Sequence, residues 1–442
     1  MKNQKLKRRN FLRNTSLGFM GAALLGKNGF TAPLQDPDNE LPKIKEYRTL
    51  GRTGFKVSDI SSGTLSNEAV IKSMVQAGVN YIDTSEYYRK GNDERKFGNA
   101  LKEMDRKKIF LTSKVRSNPI WTSSEEVIQR VRKSLERLQT DYIDCLMIHE
   151  ASDSSIVKDK NFHAAMDQLK SEGKVKYIGI SCHGHNWIDS ENETESMEQI
   201  FGSAIEDGRF DVFLLVYNFV NQDIGRRILN SCKEKNIGTT IMKANPIRWY
   251  ATAQGILNDP ENNSERYINV AKKYMDFSDR MMAYFKENNL DSSDETFRDL
   301  ALPFVLSNPD VNTVLYSFNN FSDIETVISL SGKKLSLKDQ AFLEHVVRDY
   351  GELHCRFGCN ICESKCPNHV PVNTIMRYNY YFTLKGEEKS AMQKYMELPG
   401  GKPDMCFNCE GHCEKVCPYG VLTRPILAMA HQNLSFDIAL NT

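Results

Sequence analysis

Four residues able together to hold, tune and pass a proton stand at the ends of three apolar runs. The stretch VNYIDTSEYY, Val79 to Tyr88, reads as a short buried strand that delivers Asp83 to its C-terminal end, with Tyr88 in the loop beyond. KIFLTSKV, Lys108 to Val115, delivers Lys114 in the same way, and YIDCLMIH, Tyr142 to His149, delivers His149. A lone aspartate or histidine at a strand end is usually a turn or capping residue. An acid, a phenol, an amine and an imidazole at successive strand ends form a catalytic set. A second chemistry is written in the tail, where eight of the 11 cysteines fall between Cys355 and Cys417 in C-x-x-C groupings that suit metal better than disulfides.

The elements that must position the first set recur along the chain. Strand patterns are expected near Val57–Ser62, Val79–Asp83, Ile109–Val115, Tyr142–His149, Tyr177–Cys182, Val212–Asn218, Thr239–Ala244 and Thr313–Phe318, with helical patterns between them. One such helix, Glu125 to Leu138, places Val127, Val131, Leu135 and Leu138 on a single face. Eight strand-and-helix units predict a closed (β/α)8 TIM barrel with its site at the C-terminal strand ends, where the four residues fall. The long stretch from Asn245 to Phe297, with a helical pattern at Glu265 to Asn288, is expected to lie over the barrel mouth and shape a pocket.

These residues resemble the aldo-keto reductases. The text that carries the likeness is DTSEYYRKGNDERKFGNAL from Asp83, the strand ending in Lys114, LERLQTDYIDCLMIH ending in His149, and GKVKYIGIS ending in Ser181, within a likeness over roughly residues 45 to 345. The resemblance implies interconversion of a carbonyl and an alcohol. Tyr88 is then the general acid/base, Lys114 the ammonium expected to lower its pKa from about 10, Asp83 the group that holds Lys114, and His149 the orienter of the substrate oxygen. It also implies NADP(H), with Ser181, Tyr217, Asn218 and Ser317 as cofactor-binding positions.

Around that cofactor the chain departs from the family pattern, which makes NADP(H) doubtful. Cys182 follows Ser181 where the family usually has asparagine, and Leu214 stands where glutamine usually precedes the Tyr217-Asn218 pair. No aromatic residue occurs in Met242-Lys243-Ala244-Asn245, and no Arg or Lys in the run from Ser317 through FSDIETV. The first βα loop is short, GTLSNE from Gly63 to Glu68; the helix start near Ser322 is left as an anion site. Cys182, His183 and His185 are expected to line the pocket.

The tail carries CRFGCNICESKCP and CFNCEGHCEKVCP, each ending in Cys-Pro and each resembling the cysteine run of bacterial ferredoxins with one residue added. The resemblance implies two [4Fe–4S] clusters, one on Cys355, Cys359, Cys362 and Cys417, the other on Cys406, Cys409, Cys413 and Cys366, with zinc as the rival metal. Between the runs Val372 to Met396 reads as helical, so the tail is expected to be a small α-helical ferredoxin-like domain.

At 442 residues and a formal charge of +1, the chain can hold two or three domains, and nothing in its charge suggests nucleic acid. The division expected is 1–40, 41–345 and 346–442. Arg8-Arg9-Asn10-Phe11-Leu12 resembles a twin-arginine export signal, followed by an apolar run, Leu17 to Leu25, too short to span a membrane. No cysteine follows that run to carry a lipid, and Thr31 to Pro42 reads as a linker. The expectation is a periplasmic protein, its signal removed and its cofactors inserted before export, acting on a small carbonyl or alcohol with a redox partner protein. The alternative is a non-catalytic electron-transfer or binding subunit on a degenerate barrel.

Overall fold

The computed structural model describes residues 41–442 except 65–66, 118, 185–194, 288, 351–354, 356–360, 385–386, 418–420 and 436–442. The export signal expected in residues 1–40 therefore lies outside the described residues. Among the described residues there are ten strands: β1 (Tyr47–Thr49), β2 (Lys56–Ser58), β3 (Ile60–Ser62), β4 (Tyr81–Asp83), β5 (Phe110–Arg116), β6 (Ile143–His149), β7 (Val175–Cys182), β8 (Val212–Val216), β9 (Gly238–Met242) and β10 (Thr313–Tyr316). β3 to β10 close into one parallel barrel in chain order, β10 pairing with both β9 and β3.

Side chains two apart on a strand share a face, and the barrel interior follows that period. Tyr81, Phe110, Cys145, Met147, Val212 and Leu214 pack together within it. Gly179 on β7 makes room for them, since a Cβ there would lie 2.6 Å from the Met147 side chain and 2.8 Å from the Val212 carbonyl oxygen. The antiparallel hairpin β1–β2 closes the end where the strands begin, adding Leu50, Phe55 and Val57 to the same packed cluster. Strands that run from this plugged end carry their last residues to the open end.

One expected strand is two. The run Val57–Ser62 breaks at Asp59: β2 pairs with β1, and only β3 enters the barrel. The Asp59 carboxylate accepts from Ser331 Oγ and the Gly332 amide, both at 2.7 Å, which pins the corner. Three further strands end early, β8 before Tyr217-Asn218, β9 before Lys243 and β10 before Ser317. The long segment after β9 folds as helices Tyr250–Asn258, Glu265–Glu287 and Asp294–Ser307.

Beyond the barrel, helix Leu337–Tyr350 runs across the expected boundary at residue 345. The tail is helical, with Val372–Leu384 and Glu388–Met396 in place of one long helix, and Thr423–Leu434 after them. It has its own core of Val370, Val372, Ile375, Tyr395, Leu427 and Leu434, together with Cys362, Cys406, Cys413 and Cys417.

Candidate active site

The mouth of the barrel holds a cavity of about 340 Å³, large enough for a small organic molecule. Asp83, the last residue of β4, pairs in register with Thr112 of β5; Lys114, two residues further along β5, points the same way. The Lys114 Nζ donates to Asp83 Oδ1 at 2.5 Å, to the Thr84 carbonyl at 2.9 Å and to Tyr88 Oη at 3.3 Å. Tyr88 opens a 3-10 turn, Tyr88–Gly91. His149 ends β6 and meets the Tyr88 ring edge-on, at 5.4 Å between centroids. Asp83, Tyr88 and His149 line the cavity, and fully buried Lys114 supports them from behind.

Burial acts on each group. It holds the Tyr88 phenol above its ordinary value, the Lys114 ammonium pulling it back only in part. The sequence-based expectation of a lowered phenol is thus corrected: desolvation of the phenolate outweighs the lysine. Burial works against the charge on Lys114, but Asp83 and Tyr88 overcome it and keep the ammonium above its ordinary value. His149 lies well below its ordinary value through burial, with Lys114, Arg116 and His183 adding repulsion, so the imidazole is neutral at neutral pH. Its Nδ1 is 3.0 Å from the Ser85 hydroxyl, which itself accepts from the Tyr87 amide at 3.2 Å. A Ser85 hydroxyl that donates to Nδ1 leaves the ring proton on Nε2, the form able to donate to a carbonyl oxygen.

The four positions expected to hold a nicotinamide cofactor part ways. Ser181 and Ser317 line the cavity. The Ser181 hydroxyl accepts from the Glu150 amide at 3.0 Å and donates to the Ile148 carbonyl at 3.2 Å, while Ser317 Oγ is 3.0 Å from Thr64 Oγ1. Tyr217 lines a different cavity with Gln222 and Phe304, and its Oη accepts from Asn308. Asn218 spends its amide on Lys243 O and on the Val220 and Asn221 amides. The helix start near Ser322 is closed by its own residues: Asn320 Oδ1 accepts from the Asp323 amide at 2.9 Å, and Asp323 Oδ2 from the Asn319 amide at 2.7 Å. A carboxylate already at that end opposes a phosphate, so the anion site expected at this helix start is not supplied by the helix end itself.

Asn245, Arg248, Trp249 and Tyr274 line the cavity, so the long segment after β9 shapes the pocket as expected. Sequence reasoning missed Glu150 and Lys243, which line it as well. Glu150 and Lys243 each directly follow a barrel strand and both have positive φ, so adjacency to a strand end was the signal available. His183 lines the cavity as expected; Cys182 is buried, its sulfur accepting from the Gly184 amide, and His185 is outside the described residues.

In the tail, Cys366, Cys406, Cys409 and Cys413 line one small enclosed cavity with Arg424. Burial lifts the Cys406 thiol to about 12, with Cys413, Cys366 and Cys409 adding to the rise. Cys355, Cys362 and Cys417 belong to the same packed core, and Asn373 Nδ2 donates to the Cys355 sulfur at 3.0 Å; Cys359 is outside the described residues. Among the described residues no three His, Cys, Asp or Glu side chains are grouped tightly enough to hold a single metal ion.

Replacing Lys114 by Met strands the buried Asp83 carboxylate. Urea denaturation of Lys114→Met should show a loss of about 3–5 kcal/mol, the cost of removing one partner of a buried pair. The double variant Lys114→Met/Asp83→Leu should recover much of it.

The sequence pattern of the Aldo/keto reductase family matches residues 59–347. L-galactose dehydrogenase of Arabidopsis thaliana is 27% identical over 320 residues, covering 68% of this chain and 93% of its own. An aldo-keto reductase of Bacillus subtilis (strain 168) is 22% identical over 334 residues, covering 69% and 95%. Among solved structures, an aldo-keto reductase from Bacillus halodurans in its holo form superposes with a TM-score of 0.49 at 20% identity, covering 70% of this chain and 96% of its own. With the matched family spanning the barrel and its mouth, the chain belongs to the aldo/keto reductase family and is an oxidoreductase.

Proposed function

We propose that this protein is an exported iron–sulfur oxidoreductase that interconverts a carbonyl compound, of sugar-derived type, and its alcohol. The observation that carries the reading is the convergence of Tyr88 Oη, the Lys114–Asp83 pair and His149 on one cavity. In the reducing direction the carbonyl carbon gains a hydride equivalent and the oxygen gains a proton. Tyr88 gives that proton, Lys114 steadies the phenolate left behind, and His149 Nε2 orients the oxygen. The resemblance to L-galactose dehydrogenase favours a sugar.

The tail is the source or sink of electrons in this reading. The four thiols around one cavity fit a [4Fe–4S] cluster on Cys366, Cys406, Cys409 and Cys413; a second is assigned to Cys355, Cys359, Cys362 and Cys417. Zinc is the rival metal, and the paired Cys-Pro endings of the two runs favour clusters over it. Such clusters pass single electrons, exchanged with a redox partner protein; two of them with one proton make up the hydride equivalent, which a barrel-bound two-electron cofactor such as NADP(H) would deliver to the carbonyl carbon. Among the described residues no helix is long and apolar enough to cross a membrane. The Arg8-Arg9 pair supports export of the folded, loaded protein to the periplasm.

Three outcomes are expected. Protein purified without oxygen should carry about eight iron and eight acid-labile sulfide per chain; stoichiometric zinc without sulfide would show that the tail is a zinc domain. Changing Arg8-Arg9 to Lys-Lys should hold the protein in the cytoplasm, and undiminished periplasmic accumulation would reject the export reading. Carbonyl compounds screened with NADPH and with a reduced dye should reveal turnover that Tyr88→Phe lowers by about 10²–10⁴-fold, at a cost to folding of only about 1 kcal/mol. Wild-type rates in Tyr88→Phe would place the chemistry elsewhere.

A further inference from the structure

Glu150 follows the catalytic histidine directly, and its backbone does something unusual for a glutamate. Consecutive residues of a strand point to opposite faces, so the residue after an inward His149 should turn toward the surrounding helices. Instead Glu150 has a φ of 54°, in the left-handed region that non-glycine residues avoid. That turn brings His149 and Glu150 into the same cavity. Strained backbone of this kind persists where surrounding structure enforces it, and here the enforcement is visible. The Glu150 amide donates to Ser181 Oγ at 3.0 Å, and the Ala151 amide to the Ser181 carbonyl at 2.9 Å. The serine expected to hold a cofactor holds this turn.

The carboxylate is oriented as well as placed. Its Oε2 pairs with the Arg116 guanidinium, which is itself stacked 3.7 Å above the Tyr87 ring. Its Oε1 faces the catalytic centre, 3.9 Å from His149 Nε2. Pairing with Arg116 offsets the negative charge, so the site has little to offer a cation. What it offers is an acceptor beside a donor: Nε2 for one oxygen, Oε1 for a hydroxyl on the next atom. Two such groups 3.9 Å apart can each reach hydrogen-bond distance of neighbouring oxygens.

We infer that Glu150 binds a hydroxyl on the carbon next to the reacting one, so that the substrate is an α-hydroxy carbonyl or the corresponding vicinal diol. The inference rests on the carbonyl–alcohol reading above and narrows it to polyhydroxylated molecules. Trp249 lines the same cavity, its ring held edge-on by Tyr274 at 5.4 Å between centroids.

The test uses the full chain purified without oxygen, supplied with whichever of NADPH or a reduced dye supports turnover. Glyceraldehyde is compared with 3-hydroxypropanal, which lacks only the hydroxyl next to the carbonyl. Wild type should favour glyceraldehyde in kcat/KM by about 10- to 100-fold, the worth of one hydrogen bond to a charged group. In Glu150→Gln the ratio should shrink, and in Glu150→Gly it should approach one. Glycine relieves the left-handed turn, so that variant stays folded by circular dichroism. A wild-type ratio near one, wild-type selectivity kept by both variants, or turnover of neither aldehyde overturns the inference. Tyr88→Phe keeps the two readings apart. If it cuts turnover of both aldehydes while the ratio is indifferent to Glu150, the Glu150 assignment fails and the tetrad reading stands. If it turns over both at the wild-type rate, the underlying reading fails too.

Discussion

A lysine ammonium buried beside a carboxylate at the top of a barrel is the interaction on which the site depends. Neither Lys114 nor Asp83 has solvent to stabilise its charge, so each needs the other, and the 2.5 Å contact between them fixes both side chains. The third donor direction of Nζ then has one remaining polar neighbour, the Tyr88 hydroxyl. The pair is costly as a contribution to stability and useful as a reference point: it sets where the phenol sits and which charge it sees. Burial, with the same ammonium and Arg116, keeps His149 neutral, so in the proposed mechanism one ion pair stands behind both a phenol that gives a proton and an imidazole that orients the substrate oxygen.

Much of this was legible in the chain because barrel strands have a strict period and end where chemistry happens. The positions of Asp83, Lys114 and His149 follow from counting along apolar runs, and the eight parallel strands from their spacing. What escaped the sequence depends on partners far along it. The break at Asp59 needs Ser331 and Gly332, which a local reading of Val57–Ser62 has no means to supply. The direction of the Tyr88 shift needs the depth of the cavity, since lysine proximity and burial act in opposite senses and only the fold sets the balance. Glu150 was invisible because strand alternation points it away from the site; a single left-handed residue overrules the alternation.

The positions expected at a nicotinamide site illustrate how little a residue's type says about its partners. Ser181 is retained at the end of β7, yet its hydroxyl is committed to Glu150 and Ile148. Asn218 is retained after β8, yet its amide ties β8 to the backbone after β9. In both, side chains expected to meet a ligand meet the protein, and the matching residue type alone would have concealed it.

The hairpin β1–β2 has a kinetic meaning besides its packing. With Leu50, Phe55 and Val57 filling the end where the strands begin, the barrel is a vessel with a single neck. Any diffusible electron donor that had to touch the substrate's carbon would share that neck with the substrate and with the product leaving. A donor and a substrate held there together give intersecting lines in a double-reciprocal plot, whereas electrons stored in the protein before the substrate enters give parallel ones. The plug at one end of the barrel thus makes the order of arrival at the other something a rate measurement can read.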